Sequence, residues 1–214
     1  MPSAPSPITI AVPKGRVTRA LAPFFERAGI DPEPLLADDR RLIRESADGR
    51  FRFLLLKPDD VPTYVEYGTA ELGVSGRDVL RERRYDLYQT LDLGVGRCRM
   101  VVAGPPNAKV PAVPRVASKY PRTASEHFAS RGVQAEIIYV QGSVELAPLV
   151  GLADLIVDLV ESGATLRDNG LVELETIADV SSVLVANPAL YKLRHAELEP
   201  FIVRLRAAVA PSPK

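Results

Sequence analysis

Short apolar runs rich in β-branched residues, at residues 8–12, 51–56, 72–75, 98–103, 116–118, 135–140, 155–158 and 182–186, alternate along this chain with amphipathic stretches at 17–28, 61–67, 77–83, 124–130, 144–149 and 198–209. An apolar run this short, bounded by turn-forming residues, reads as a buried strand, whereas apolar positions three and four apart read as one face of a helix. Alternation of the two is the pattern of an α/β protein built on largely parallel strands. No internal repeat accompanies it. Gly94 and Gly96, in LDLGVGR at 91–97, permit unusual backbone angles beside a strand and mark a crossing from one lobe to another. The return crossing is expected near 177–181. On this reading residues 1–93 and 179–214 form one discontinuous lobe and residues 94–178 the other. Ligands are then expected in a cleft between the lobes, since α/β proteins bind them at the carboxyl ends of strands or between domains. The Pro-rich stretch 104–114 follows an apolar run so closely that it reads as a loop within a lobe.

Charge narrows the chemistry. Lys and Arg together number 27, as do Asp and Glu, so the formal net charge is zero and no bulk field exists to hold DNA or RNA. Any anion has to be gripped locally. The first seven residues lack the basic start and apolar core of a secretory signal, and no run approaches the roughly 20 apolar residues that cross a bilayer. A cytoplasmic protein is expected, with no membrane contact. Cys98 is the single cysteine, which excludes an internal disulfide and a multi-cysteine metal site and points to a buried thiol. His127 and His195 have no nucleophile or ligand partners nearby in the sequence and read as structural or solvent-facing. Tyr64 and Tyr67 are spaced as neighbours on a helix and read as core.

The most informative stretch is LADLIVDLVESGATLRDNG at 152–170. An apolar strand delivers Asp158, and the loop 161–165 follows with Gly163 inside it. Such a loop can aim successive N–H groups at one point, a nest for phosphate to which Thr165 adds a hydroxyl, while the carboxylate suits ribose hydroxyls. A polar turn between strand and helix accounts for the same spacing. Near the start, Lys14-Gly15-Arg16 places two cations around a glycine at a strand end, which suits a polyphosphate; solvated basic residues are the plain alternative.

These blocks together carry a resemblance. PKGR at 13–16, DDVPTYVEYG at 59–68, AELGVSGRDVL at 70–80, ASKYP at 117–121 and GSVELAPLVGLADLIVDLVESGATLRDNGL at 142–171 stand in an order that resembles the ATP phosphoribosyltransferases in their short, catalytic-only form. The resemblance implies a two-lobed fold like that of type II periplasmic binding proteins. It also implies the condensation of ATP, through adenine N1, with phosphoribosyl pyrophosphate at the entry to histidine biosynthesis. It assigns Asp158 to the ribose hydroxyls and Ser162, Gly163, Ala164 and Thr165 to the 5-phosphate. Lys14 and Gly15 fall in the ATP-binding strand end, and Arg16 and Arg40 are the arginines that meet the departing pyrophosphate, although Arg41 leaves that second position uncertain by one. Arginine suits the task because its planar fork stays charged and grips phosphate oxygens in pairs. Lys57 stands where arginine is expected and keeps only the charge. In ASKYP a serine replaces the more familiar threonine. Glu145 reaches Mg²⁺ or ribose, or else serves as a first-turn carboxylate of a helix; Asp154 is a further substrate contact or a turn residue. Mg²⁺ is expected through the substrate pyrophosphate, with no protein metal site.

A non-catalytic binding module and a phosphoribosyltransferase acting on another base are the rival readings. The short form further implies a separate regulatory subunit resembling a histidyl-tRNA synthetase, with this chain as a homodimer inside a hetero-oligomer. The purified chain alone should therefore turn over yet respond weakly to histidine in a steady-state inhibition assay; strong inhibition would contradict this.

Overall fold

The computed structural model describes residues 6–210. By its contacts the chain divides into two compact units, the first taking the chain up to Gly96 and again from Ser181, the second Arg97–Val180.

The first unit is built on a six-stranded sheet. In chain order it contains β1 (Ile8–Pro13), α1 (Arg16–Arg27), α2 (Glu33–Leu36), β2 (Ile43–Glu45), β3 (Phe51–Leu56), α3 (Val61–Glu66), β4 (Leu72–Gly76), α4 (Arg77–Arg83) and β5 (Tyr88–Asp92). After the second unit's β6 (Cys98–Gly104), β7 (Arg115–Ser118), α5 (Pro121–Ser130), β8 (Glu136–Tyr139), α6 (Leu146–Leu149), β9 (Leu155–Val160), α7 (Ala164–Asp168) and β10 (Val172–Val180), the chain returns with β11 (Ser182–Ala186), α8 (Pro188–Leu193) and α9 (His195–Val209). The first sheet has the order β2-β3-β1-β4-β11-β5. Strands β1, β3 and β4 run parallel, and β2 and β11 pair antiparallel to β3 and β4.

Strand alternation explains why this sheet needs cover on both faces. Ile8, Ile10 and Val12 join Phe51, Phe53 and Leu55 in one apolar cluster, whereas Ala11 and Leu54 join another. Helix α1 buries Thr18, Leu21, Ala22 and Phe25, spaced i, i+3, i+4, i+7, and together with α9 it covers the first cluster. Arg27 and Arg204 tie the two helices crosswise, Arg27 donating to the Ala208 carbonyl in the last turn of α9 and Arg204 to the Ala28 carbonyl just past α1. Helix α3 covers the second cluster with Val61 and Val65. That choice of face leaves Tyr64 and Tyr67 outward, Tyr67 at 80% exposure, so the core role expected for these tyrosines is not what the fold gives them.

The second unit has a five-stranded sheet, order β10-β6-β9-β7-β8. Strands β7, β8 and β9 are parallel, while β6 is antiparallel to both β9 and β10. Mixed direction in both sheets replaces the largely parallel arrangement expected. It arises around the two crossings: β5 pairs with β11 in one sheet and β6 with β10 in the other, so the outgoing and returning chain run in opposite senses. The Pro-rich stretch 104–114 lies inside the second unit. Cys98 opens β6 and is partly buried. No helix among the described residues is long and apolar enough to cross a membrane.

Phe201 of α9 is fully buried, its ring 5.4 Å from that of Phe51 and 6.4 Å from that of Phe25. Phe201→Ala should lower unfolding stability by about 3–5 kcal/mol, whereas Tyr67→Ala should shift it by no more than about 0.5 kcal/mol; urea denaturation followed by circular dichroism measures both.

Candidate active site

The first group of candidates leaves the sheet at the end of β1. Pro13 pairs with Leu56, the last residue of β3, so Lys14 and Lys57 emerge from adjacent parallel strands at one edge. The Lys14 N–H donates to the Leu56 carbonyl at 2.8 Å, extending that pairing by one step. Gly15 then takes φ +100°, a conformation that side-chain-bearing residues rarely adopt, and turns the chain into α1. The Thr18 hydroxyl donates to the Pro13 carbonyl and fastens the first helical turn to the strand end. Lys14, Gly15, Arg16 and Lys57 are all exposed.

Residues 37–42, between α2 and β2, meet this strand end. Together they form a concavity of about 410 Å³ lined by Lys14, Gly15, Thr18 and Arg19 on one side and by residues 38–41 with Arg44 on the other. Its lining sets Lys14, Arg19, Arg40, Arg41 and Arg44 against Asp38 and Asp39 alone, a local excess of cations in a chain of zero net charge. The N-terminus of α1 adds the positive end of a helix dipole. Asp39 binds Arg41 through three contacts: its Oδ1 accepts from the Arg41 backbone N–H at 2.8 Å, and its Oδ2 accepts from Arg41 Nε at 2.8 Å and lies 2.7 Å from Arg41 Nη2. These bonds, helped by Arg44, hold the Asp39 carboxyl below the usual carboxylate range. Arg40 is exposed, lines the concavity, and has no hydrogen bond or ion pair among the described residues. Arg16 and Lys57 are not among the described lining residues.

The second group stands at the carboxyl ends of β7 and β9. Ser118 is fully buried; its hydroxyl donates to the Val157 carbonyl at 2.7 Å and accepts from the Tyr120 N–H at 2.8 Å, fixing the neighbouring strand ends on each other. Asp158 lies within β9, half-buried, and its Oδ1 accepts from the Leu159 N–H at 2.8 Å. Burial pushes its pKa up to about 6; the Leu159 N–H opposes this, the charge of Glu145 adds to it, and Lys119 opposes it. Glu145 and Lys119 therefore lie within electrostatic range of Asp158. Glu145 sits at the N-cap of α6 but makes no side-chain capping bond there, so the capping alternative has no hydrogen bond behind it.

After β9 the chain enters α7 through Gly163, which takes φ +74°, in the left-handed region. A Cβ at Gly163 would press on the ends of two flexible side chains, at 3.0 Å from Arg167 Nη1 and 3.2 Å from Glu173 Oε1, so it is chiefly the backbone conformation that calls for glycine. Ser162, Ala164 and Thr165 are exposed around it, with the Ala164 N–H donating to the Ser162 hydroxyl at 3.3 Å. The first α-helical bond of α7 runs from the Arg167 N–H to the Gly163 carbonyl, which leaves the earlier amides without an intrahelical acceptor.

Asp154 belongs elsewhere. It lies immediately before β9, at the opposite end of that strand from the loop, and accepts from the Arg115 backbone N–H at 2.8 Å and its Nη2 at 3.2 Å. That is the turn role which stood as its alternative, and the structure does not bring it to Asp158. His127 is buried edge-on to Phe128 with Nε2 3.4 Å from Glu175, and His195 is exposed beside Tyr191. Sequence reasoning passed over Arg19, Asp39 and Arg44. The run DDRRLIR held a signal for the last two, but nothing in it says that the loop folds back onto Lys14.

The sequence model of the family HisG: ATP phosphoribosyltransferase matches residues 57–207. An ATP phosphoribosyltransferase of Sorangium cellulosum is 65% identical over 204 residues, covering 95% of this chain and 97% of its own length. Another, from Geobacillus kaustophilus, is 50% identical over 207 residues, covering 96% of this chain and all of its own. Among solved structures, the ATP phosphoribosyl transferase (HisG:HisZ) complex from Thermotoga maritima superimposes with a TM-score of 0.82 at 33% identity, over 94% of this chain and 98% of that one. The periplasmic aliphatic sulphonate binding protein SsuA of Escherichia coli gives a TM-score of 0.62 at 14% identity, over 97% of this chain and 74% of that one, a likeness of fold only. The fold is thus that of the type II periplasmic binding proteins. A family match over residues 57–207 and relatives at 65% and 50% identity across nearly the whole chain lead to one assignment: the chain belongs to the ATP phosphoribosyltransferase family.

Proposed function

We propose that this chain divides the work of its family's reaction between its two units, the first binding the phosphates of ATP and the leaving pyrophosphate, the second binding the phosphoribosyl group. The reaction joins adenine N1 of ATP to the anomeric carbon of phosphoribosyl pyrophosphate, releases pyrophosphate and opens histidine biosynthesis. The observation that carries the division is the cation-rich concavity at the end of β1 in one unit and the Asp158 and Gly163 strand end in the other.

The chemistry asks for few groups. As the N1 lone pair forms its bond to the anomeric carbon, the bond to pyrophosphate breaks and its electron pair departs with the diphosphate. Positive charge builds on the ribosyl ring and negative charge on the leaving group. Arg40 and Arg16, with Lys14 beside them, stabilise the latter, and they count for most where they are aimed before the reaction begins. Asp158 accepts the ribose hydroxyls and offsets the ring charge in its ionised form. The amides around Gly163 and the hydroxyl of Thr165 take the 5-phosphate, with Ser162 and Ala164 shaping the turn. Catalysis then consists of orientation and electrostatics. Lys57 supplies charge at the same strand edge as Lys14. Asp154, bonded to Arg115, acts through the fold.

Mg²⁺ suits this arrangement as a passenger of the substrate. It would enter on the substrate pyrophosphate, with Glu145 the carboxylate that could reach it or the ribose. The ion would neutralise diphosphate charge. A cytoplasmic setting fits these substrates. That the related Thermotoga maritima structure is a HisG:HisZ complex supports a HisZ-like regulatory partner, expected to resemble a histidyl-tRNA synthetase, with this chain as a homodimer inside the hetero-oligomer.

Incubation with both substrates should yield pyrophosphate and the ultraviolet spectrum of an N1-ribosylated adenine; no product with ATP, or product only with another base, would refute the reading. Arg40→Ala should lower kcat about 10²–10³-fold, Arg41→Ala no more than severalfold, and Gly163→Val should raise the KM for phosphoribosyl pyrophosphate.

Asp158 adds a pH test with two readouts. The KM for phosphoribosyl pyrophosphate should rise as pH falls through about 6, and Asp158→Asn should have a high KM with no such inflection. A carboxyl whose folded-state pKa lies above its unfolded value favours the fold only when protonated, so ionised Asp158 costs stability above pH 6 and nothing below its unfolded pKa of about 4. Asp158→Asn should accordingly be more stable than the parent at pH 8, by roughly 2 kcal/mol, and equal to it near pH 3.

A further inference from the structure

Three arginines, Arg40, Arg41 and Arg44, line one side of the concavity, and the structure treats them differently. Arg44 lies in β2, paired with Phe53 of β3, and its side chain is only 6% exposed. Its Nη1 donates to the Pro34 carbonyl of α2 at 2.6 Å, and its Nη2 donates to Asp39 twice, to the carbonyl at 3.3 Å and to Oδ1 at 3.0 Å. One buried guanidinium thus joins α2, the loop 37–42 and β2. The same Asp39 carboxylate binds the Arg41 backbone and guanidinium. Two of the three cations are therefore spent within the protein. Arg40, between Asp39 and Arg41, is the one left exposed without a bond among the described residues.

We propose that Arg44, through Asp39, is a positioning residue for the transferase reaction: it fixes the loop 37–42 so that Arg40, rather than Arg41, meets the phosphate anion. Arg44 Nε is buried with no hydrogen-bond partner, a cost that an apolar side chain of similar size would avoid. Departures of this kind from full internal satisfaction belong at functional sites, where they are offset by what they position. A fork bonded at both ends also holds the loop in translation and in rotation. Lysine, with a single ammonium, cannot span Pro34 and Asp39 in this way.

The inference rests on the role given to Arg40, and a double-mutant cycle separates the two. Steady-state kcat and KM, calorimetric binding of inorganic pyrophosphate and thermal midpoints would be measured for Arg40→Ala, Arg44→Met, Arg44→Lys and Arg40→Ala with Arg44→Met. Arg44→Met should lower kcat by about tenfold to a hundredfold, weaken pyrophosphate binding and leave the KM for phosphoribosyl pyrophosphate within about twofold, with Arg44→Lys closer to Met than to the parent. Because Arg44 acts through Arg40, the double variant should have a kcat within about twofold of Arg40→Ala alone. If Arg40→Ala is impaired but Arg44→Met keeps its kcat, or the two losses multiply, Arg44 is not a positioning residue and the proposal fails while the role of Arg40 stands. Full activity in Arg40→Ala would overturn both. Should Arg44→Met not fold, Asp39→Ala removes the other half of the pair at a more exposed site, and the same non-additivity with Arg40→Ala is required.

Discussion

Strand β1 has parallel neighbours on both sides and apolar clusters over both faces, so it cannot slip by one residue without turning Ile10 and Val12 out of one cluster and Ala11 out of the other. That locked register decides where the strand ends. With Pro13 opposite Leu56, Lys14 and Lys57 leave the sheet at one level, Gly15 turns the chain, and α1 begins with its amide groups at the concavity. The exposed lysines at this edge start from a definite place because the residues before them have no alternative place to go. Aromatic packing among Phe25, Phe51, Phe53 and Phe201 backs the same strands from the helical side.

The second unit solves a different problem. A carboxylate proposed to meet sugar hydroxyls does so best when partly removed from water, where hydrogen bonds are stronger, and yet ionised near neutral pH. Asp158 reaches that compromise because β9 is fully buried through Val157 and only half-buried at Asp158. One backbone N–H, from Leu159, and the charge of Lys119 limit the upward shift that burial and Glu145 produce. The site is therefore held at some expense to stability, which the strand order around it absorbs: β9 lies between β6 and β7, the interior of its sheet.

Much of this was legible beforehand, and the failures have physical causes. Apolar runs placed β1, β3, β4, β6, β7, β9 and β11 to within a residue or two, because each is central or nearly so and its burial is written in its composition. The strands overlooked are edge strands. β2 is three residues long; β5 exposes Tyr88 and Gln89; β10, whose VELETI alternates in the expected way, is mostly exposed and interrupted by two register shifts against β6. Edges need less apolar surface, so composition marks them weakly, although the edge strand β8 was placed at 135–140 by its apolar run. Sequence set Lys14 to Arg16 and residues 162–165 beside strand ends, and the structure has them there, because strand ends are local. Asp154, read as a further substrate contact or a turn residue, stands just before β9, at the other end of that strand from Gly163, and is bonded to Arg115. The partition of Arg40, Arg41 and Arg44 could not be read at all, since it depends on which of them a single aspartate can reach.

That partition bears on how a chain of zero net charge handles polyanions. Surplus cations scattered over a surface would be screened within about 8–10 Å at physiological salt and would hold any anion loosely. Here the charges are concentrated instead, and two of the five are fixed from within: Asp39 takes Arg41 and Arg44 Nη2, and the Pro34 carbonyl takes Arg44 Nη1. What remains open to a ligand is a small number of donors whose directions are set by buried neighbours. Phosphate recognition gains more from that than from additional charge, because the entropy of ordering long side chains has been spent during folding and is not charged again at binding. The same reasoning applies to Asp39 in the lining. A carboxylate already saturated by two guanidinium groups repels an incoming phosphate far less than an open one, and its geometric hold on the loop is the larger effect.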